Sequence, residues 1–170
     1  MAIYEKLSEE ELALVTIIRH PVWFPEFLYE LEPDRTEEHA WEYTDYQKEI
    51  LCDFAPYVNL TCGRSIGKSQ CEIDKIQWLS VNKFGEESVL ALFPNRVHLQ
   101  PFFLKLSRRY RFHPFLKWWA NNNSINSSNF TLNLNNGFFL DCRIAGQSNT
   151  EAPVAGMHVR QAFVDECIPA

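Results

Sequence analysis

No apolar run in this 170-residue chain approaches the roughly 18 to 20 residues that a helix needs to span a bilayer. The amino terminus also lacks the positive start and apolar stretch of a secretion signal, since Met1 to Glu11 is acidic and polar. A cytosolic protein that is neither secreted nor membrane-bound is expected. Cysteine is sparse and unpatterned. Cys52, Cys62, Cys71, Cys142 and Cys167 are an odd number without a C-x-x-C pair, which argues against a disulfide framework and a zinc site. Buried, reduced thiols are expected instead. There is no basic excess either. The net charge of −6 gives no global field to attract nucleic acid, so any such contact must come from a local patch.

What is present is ordinary for a globular protein: 46% hydrophobic and 22% charged residues, in a length that suits one compact domain. Ser8 and Glu11 form a capping-box signature ahead of Leu12, Leu14, Val15 and Ile18 at roughly helical spacing. Pro21 and Pro25 interrupt that pattern, so two short helices are expected, followed by a polar linker from Glu32 to Glu38. A further helix is predicted over 43–54. Tyr57 to Cys62 reads as a strand, Lys68 to about Val81 as a helix, and Ser88 to Phe93 as a strand ended by Pro94. A long helical stretch from about Val97 to Trp119 contains Pro101 and Pro114 as starts or breaks. The Asn/Ser-rich segment 121–129 reads as a loop. Strands over 130–134 and 138–144 around Asn135-Asn136-Gly137 predict a hairpin. Gln161 to Val164 is a last strand, ending on Asp165-Glu166. Strands alternating with helices imply an α/β fold on a largely parallel sheet.

Gly63-Arg64-Ser65-Ile66-Gly67-Lys68-Ser69 stands between a predicted strand and a predicted helix, the setting of a phosphate-binding loop. Glycines let backbone N–H groups approach phosphate oxygens, and the helix amino terminus adds a favourable dipole. In such a site the Lys68 ammonium reaches the β- and γ-phosphates of ATP and the Ser69 hydroxyl ligates Mg²⁺. The spacing departs from G-x-x-x-x-G-K-[ST], whose first glycine falls at Cys62. Read alone, the segment is equally a glycine turn that caps a helix; the strand before and the helix after favour the phosphate loop.

Phe163-Val164-Asp165-Glu166 ends an apolar strand with two adjacent carboxylates, 97 residues beyond Lys68. A nucleotide hydrolase needs one carboxylate to hold Mg²⁺ and one to polarise the attacking water; Asp165 suits the first role and Glu166 the second. Two acids at the carboxyl end of a parallel strand lie on the edge where such sheets bind ligands. A solvated strand end is the plainer reading of this pair alone, and the two motifs in order favour the enzyme.

Together these residues resemble the ATPase domain of the large terminase subunits, the motors that pump DNA into viral capsids. The resemblance spans roughly residues 40 to 170. It rests on Arg64 directly after Gly63 in a deviant phosphate loop and on Tyr46-Gln47, which resembles an adenine-recognising glutamine motif. It rests also on Val89-Leu90-Ala91-Leu92-Phe93-Pro94, and on the Asn136-Gly137 hairpin followed by Gly146, Gly156 and the Asp-Glu strand. The resemblance implies a P-loop NTPase of the ASCE, RecA-like kind: a largely parallel sheet flanked by helices with an inserted β-hairpin. Residues 1–40 would be a helical amino-terminal segment and 41–170 the front part of the ATPase domain, with later strands and a nuclease domain beyond this chain. It also implies that Arg64 contacts the γ-phosphate and that Gln47 hydrogen-bonds adenine beside Tyr46. From the residues alone, Tyr46 is equally a core side chain and Gln47 a surface helix residue. Many members carry a trans-acting arginine immediately before the glycine that stands here at Gly156; this chain has Ala155, leaving Arg160 or Arg143 as candidates. An arginine near a strand start such as Arg160 is more often a surface ion pair.

Implied partners are double-stranded DNA, a portal protein, a small terminase subunit and further copies in a ring. The implied location is the host cytoplasm, transiently at the procapsid portal. A helicase-superfamily translocase and a non-hydrolysing nucleotide-binding assembly module remain as alternatives. Lys105, Arg108, Arg109, Arg111 and Lys117 form the basic cluster of the chain, either a DNA-backbone contact or a solvated helical face. Trp118 and Trp119, near Phe112 and Phe115, could stack on a partner, but core packing is the better reading. His98, His113 and His158 show no metal-ligand spacing.

Overall fold

In the computed structural model the described residues are 7–32, 42–55, 67–82, 88–145, 159 and 161–165. The chain divides into two compact units, Met1–Asn82 and Lys83–Ala170.

The first unit is helical: α1 (Glu9–Arg19), α2 (Trp23–Glu30), α3 (Asp45–Cys52) and α4 (Lys68–Asn82). Both halves of the Ser8–Glu11 capping box form at the start of α1. The expected break between α1 and α2 falls at Pro21, whereas Pro25 is accommodated as the third residue of α2, where a missing N–H costs no helical bond. The apolar pattern of α1 does not translate into burial. No residue of this helix is buried, and Leu12 and Leu14 are exposed.

Helix α4 is the centre of this unit. It touches α1, α2 and α3, and its buried residues run from Gln70 to Val81 with only Glu72 left out. Its side chains close the end of α1: Trp78 Nε1 donates to Arg19 O at 3.1 Å and Asn82 Nδ2 to Ile18 O at 2.9 Å. Those carbonyls have no partner inside α1, so the long-range bonds satisfy a helix end that would otherwise need solvent. A small core of Val22, Tyr43, Ile50, Leu51 and Cys71, joined by Tyr29 and Tyr46, sits among α2, α3 and α4.

The second unit is an α/β layer. Its strands are β1 (Ser88–Phe93), β2 (Ile125–Asn126), β3 (Thr131–Asn133), β4 (Phe139–Ile144) and β5 (Gln161–Val164), in the order β2-β3-β4-β1-β5. β1 is central and pairs in parallel with both β4 and β5. This explains its nearly continuous apolar sequence Val-Leu-Ala-Leu-Phe, as a strand with neighbours on both sides. The β2–β3 and β3–β4 pairings are antiparallel. The expectation of a largely parallel sheet is therefore corrected to a mixed, open one. The physical reason is the hairpin, which is built into the sheet through β4, so that its other arm must run antiparallel. The turn is closed by Gly137 N–H to Leu134 O at 3.0 Å and Leu134 N–H to Phe138 O at 2.9 Å. Gly137 has φ +88°, the conformation a three-residue hairpin loop requires at that position. The segment expected as a loop over 121–129 contains the short strand β2.

One helix, α5 (Arg96–Phe112), packs on β1 and β4. The break expected at Pro114 is real: a 3₁₀ turn over Leu116–Trp119 follows, its start capped by His113 Nδ1, which accepts from Phe115 N and Leu116 N. Pro101 does not break α5. The carbonyl its ring leaves without an amide partner belongs to Val97, which is 78% exposed, so water can satisfy it. Trp118, expected in the core, is 76% exposed. Cys52 is exposed while Cys71 and Cys142 are buried, which corrects the expectation of uniformly buried thiols; Cys62 and Cys167 lie outside the described residues. Among the described residues, no helix is long and apolar enough to cross a membrane.

Candidate functional site

The site is built outward from the start of α4. Gly67 O accepts from Cys71 N at 3.0 Å, which makes Gly67 the cap residue of the helix. Its φ of +88° is open to glycine and strained for other residues. Lys68 and Ser69 follow as the first two helical residues, the lysine half-buried and the serine exposed. Their backbone N–H groups belong to the first helical turn, which has no internal acceptors, and the helix dipole is positive at this end. Gly63, Arg64, Ser65 and Ile66, and the strand expected over 57–62, lie outside the described residues.

Against Gly67 lies Gln47. A Cβ added to Gly67 would collide with Gln47 Nε2. Gln47 is the third residue of α3 and completes a capping box: Thr44 N donates to Gln47 Oε1 at 3.0 Å, and Gln47 N donates to Thr44 Oγ1 at 3.4 Å. The side chain is buried, not a surface helix residue. The structure thus brings together Gln47, Gly67 and the start of α4, which are 20 residues apart in sequence. Tyr46 is half-buried and packs on the small core of the unit.

Two residues of α4 missed by the sequence reading hold this arrangement. Asp74 is fully buried and accepts from Tyr43 Oη at 2.6 Å, Gln70 Nε2 at 2.8 Å and Tyr29 Oη at 3.5 Å. Burial and the Asp74 charge push the Tyr43 hydroxyl far above its usual range. Lys75 reaches the far end of α3, where Nζ donates to Ile50 O at 2.9 Å and to Asp53 O. Its ammonium also lies 4.9 Å from the centre of the Phe54 ring. Burial lowers the Lys75 pKa, partly opposed by Asp53 and Cys52. α3 is therefore fastened to α4 at both ends, by Lys75 at its carboxyl terminus and by Gln47 at its amino terminus. Apart from Gln70, four residues before Asp74, the partners that distinguish Asp74 and Lys75 from solvated helix residues lie more than 20 residues away in sequence.

In the second unit, Asp165 stands at the carboxyl edge of the sheet. Its N–H donates to Leu92 O at 2.9 Å, extending the β1–β5 ladder by one bond. Ala145 N–H to Phe93 O, at 2.8 Å, does the same on the β4 side. Asp165 is thus at the carboxyl edge of the parallel strands, the edge on which open α/β sheets bind ligands. Glu166 and Arg160 lie outside the described residues. Arg143 is engaged within its own strand: Nε and Nη2 both contact Asp141 Oδ2, at 2.9 and 2.8 Å. A trans-acting role for Arg143 would have to break that pair. Among the described residues, no group of three or more His, Cys, Asp or Glu side chains is arranged to hold a metal ion.

No protein family, curated protein or solved structure matches the chain.

Proposed function

We propose that the chain carries the ATP site of a P-loop ATPase motor of the viral DNA-packaging terminase type, hydrolysing ATP with Mg²⁺ to move double-stranded DNA. The observation that carries the reading is the junction of Gly67 and Gln47 at the start of α4. A left-handed glycine directly before Lys68-Ser69 opens the first helical turn toward an anion. A buried glutamine amide touches that glycine, at the position where the terminase resemblance sets an adenine-recognising glutamine. Support from the second unit is Asp165 at the carboxyl edge of parallel strands.

In this reading the N–H groups of the 63–69 loop cradle the phosphates, and the Lys68 ammonium stabilises charge that develops on the β- and γ-oxygens. Arg64 contacts the γ-phosphate. Ser69 and Asp165 would hold Mg²⁺, which supplies further neutralising charge when bound. Glu166 orients water for in-line attack and takes up its proton. A ring of copies, a portal and a small subunit would be the partners of such a motor, with Arg160 as the candidate that completes a neighbour's site.

The test is Mg²⁺-dependent ATP binding and hydrolysis by the chain beside Lys68→Ala and Glu166→Ala variants, with and without duplex DNA. Lys68→Ala is expected to lose binding. Glu166→Ala is expected to bind ATP yet turn it over at least ~100-fold more slowly. If both variants match the parent, the two motifs are unrelated turns and the reading fails.

A further inference from the structure

The charge of the chain is unevenly placed. Ser88 to Leu140 holds six of the 16 Lys and Arg residues and none of the 22 Asp and Glu residues. A stretch so depleted of acid within a protein of net charge −6 concentrates positive potential on one unit. The cations gather at the outer side of α5 and the turn after it: Lys105, Arg108, Arg111 and Lys117 are all exposed, while Arg109 is turned inward. Between them stand two large aromatic side chains that the fold leaves in water, Phe112 at 68% and Trp118 at 76% exposure. Lys117 Nζ lies 5.7 Å from the Trp118 ring centre, and Arg111 Nη2 donates to Ser127 Oγ at 3.4 Å, toward the Asn/Ser-rich segment that precedes the hairpin.

Exposed aromatics flanked by cations, in a stretch of sequence without acids, form a surface with two separate chemical demands. The cations favour a polyanion. The flat rings favour a partner with accessible π-faces, and leaving them in water without one wastes apolar area. A duplex satisfies only the first demand, because its base faces are stacked on one another. An acidic peptide likewise satisfies only the charge. A strand of unpaired nucleotides satisfies both, with phosphates at the cations and bases on the rings. We propose that the α5 face, with Phe112 and Trp118 as stacking platforms, binds single-stranded nucleic acid. The proposal uses neither Lys68 nor Asp165, and it stands whether or not the chain hydrolyses ATP.

The test is fluorescence anisotropy of a labelled oligothymidylate of about 20 nucleotides, against a duplex of equal length, without nucleotide. The chain is expected to prefer the single strand. Its affinity should fall with salt with a logarithmic slope of about −3, as for four phosphates at ~0.7 each. Trp118→Ala should weaken the single strand roughly 5- to 100-fold and leave the duplex unchanged, while Trp118→Phe restores most of the loss. Arg108→Glu with Arg111→Glu should weaken both. All these side chains are exposed, and circular dichroism verifies that each variant is folded. The proposal is overturned if Trp118→Ala binds the oligonucleotide as the parent does, or if the duplex is preferred. It is equally overturned if neither nucleic acid binds at ~50 mM salt. Self-association lost in the Arg108/Arg111 variant, without oligonucleotide binding, would assign the face to a second copy instead.

Discussion

Gln47 Nε2 occupies the space where any residue but glycine at position 67 would put its Cβ, and Gly67 is also the residue whose φ of +88° turns the chain into α4. Two independent constraints therefore meet on one glycine, one from backbone conformation and one from a neighbouring side chain. They separate experimentally. Gly67→Ala should cost roughly 1–3 kcal/mol for its φ alone, with the collision in addition. Gln47→Ala removes the collision but also one arm of the Thr44 capping box, at about 1 kcal/mol. Urea unfolding of the parent, both single variants and the double variant should give a double variant more stable than the sum of the single losses predicts. Strict additivity would mean that the amide does not press on the glycine in solution.

The buried carboxylate of Asp74 receives three donors from three parts of the first unit. Removing it leaves those donors without their charged acceptor, whereas removing one donor leaves the charge with two others. Asp74→Ala is therefore expected to destabilise by ~3 kcal/mol or more, and Tyr43→Phe by ~1.5–3 kcal/mol, in denaturant unfolding. Equal, small effects from both substitutions would contradict Asp74 as the centre of the network.

Pro101 sits inside α5 with an exposed ring and no N–H to offer to Val97 O. Alanine there restores one helical bond and a better helix former, worth up to ~3 kcal/mol in a helix interior. Loss of the rigid ring makes the unfolded chain more flexible and returns ~1 kcal/mol of that gain. A net stabilisation of roughly 1–2 kcal/mol is expected for Pro101→Ala, read as a raised urea midpoint. A loss instead would show that the proline aids α5 through the bend it imposes.

How much of this was legible in the sequence depends on the range of the interaction. Ser8 with Glu11, the Asn-Gly turn and the apolar run of β1 carry their reasons within a few residues, and each element formed where it was expected. Thr44 and Gln47 make a capping box of the same kind, but the contact of Gln47 with Gly67 depends on how α3 lies on α4, which no local pattern encodes. Asp74 and Lys75 look like ordinary polar helix residues until their partners at Tyr43, Ile50 and Asp53 are seen. The antiparallel half of the sheet was hidden because a hairpin signal tells which strands are joined and not which neighbour the joined pair will find. Trp118 was misplaced because size and hydrophobicity favour burial on average, while the 3₁₀ turn after His113 directs this ring outward.

Alkaline pH tests the buried groups of both units at once. The Tyr43 hydroxyl has its pKa raised from 10.0 by burial and by Asp74, and the Cys142 thiol from 9.0 by burial and by Asp141. Above those values the unfolded chain has released protons that the folded chain keeps, so the native state binds more protons and stability falls as pH rises. Lys75 acts in the opposite sense. Burial lowers its pKa from 10.5, so between its folded value and 10.5 the unfolded chain holds the extra proton and rising pH favours the native state. Each group contributes a slope of up to about 1.4 kcal/mol per pH unit within its window. Stability measured by urea unfolding should therefore decline from about pH 9 through Cys142 and steepen above pH 10 through Tyr43. Tyr43→Phe should flatten the steeper limb, and Cys142→Ala should delay its onset. Lys75→Met should make the decline below pH 10.5 steeper, because the opposing gain is removed. A Lys75→Met profile parallel to that of the parent would mean that the ammonium is as well solvated in the folded chain as in the unfolded one.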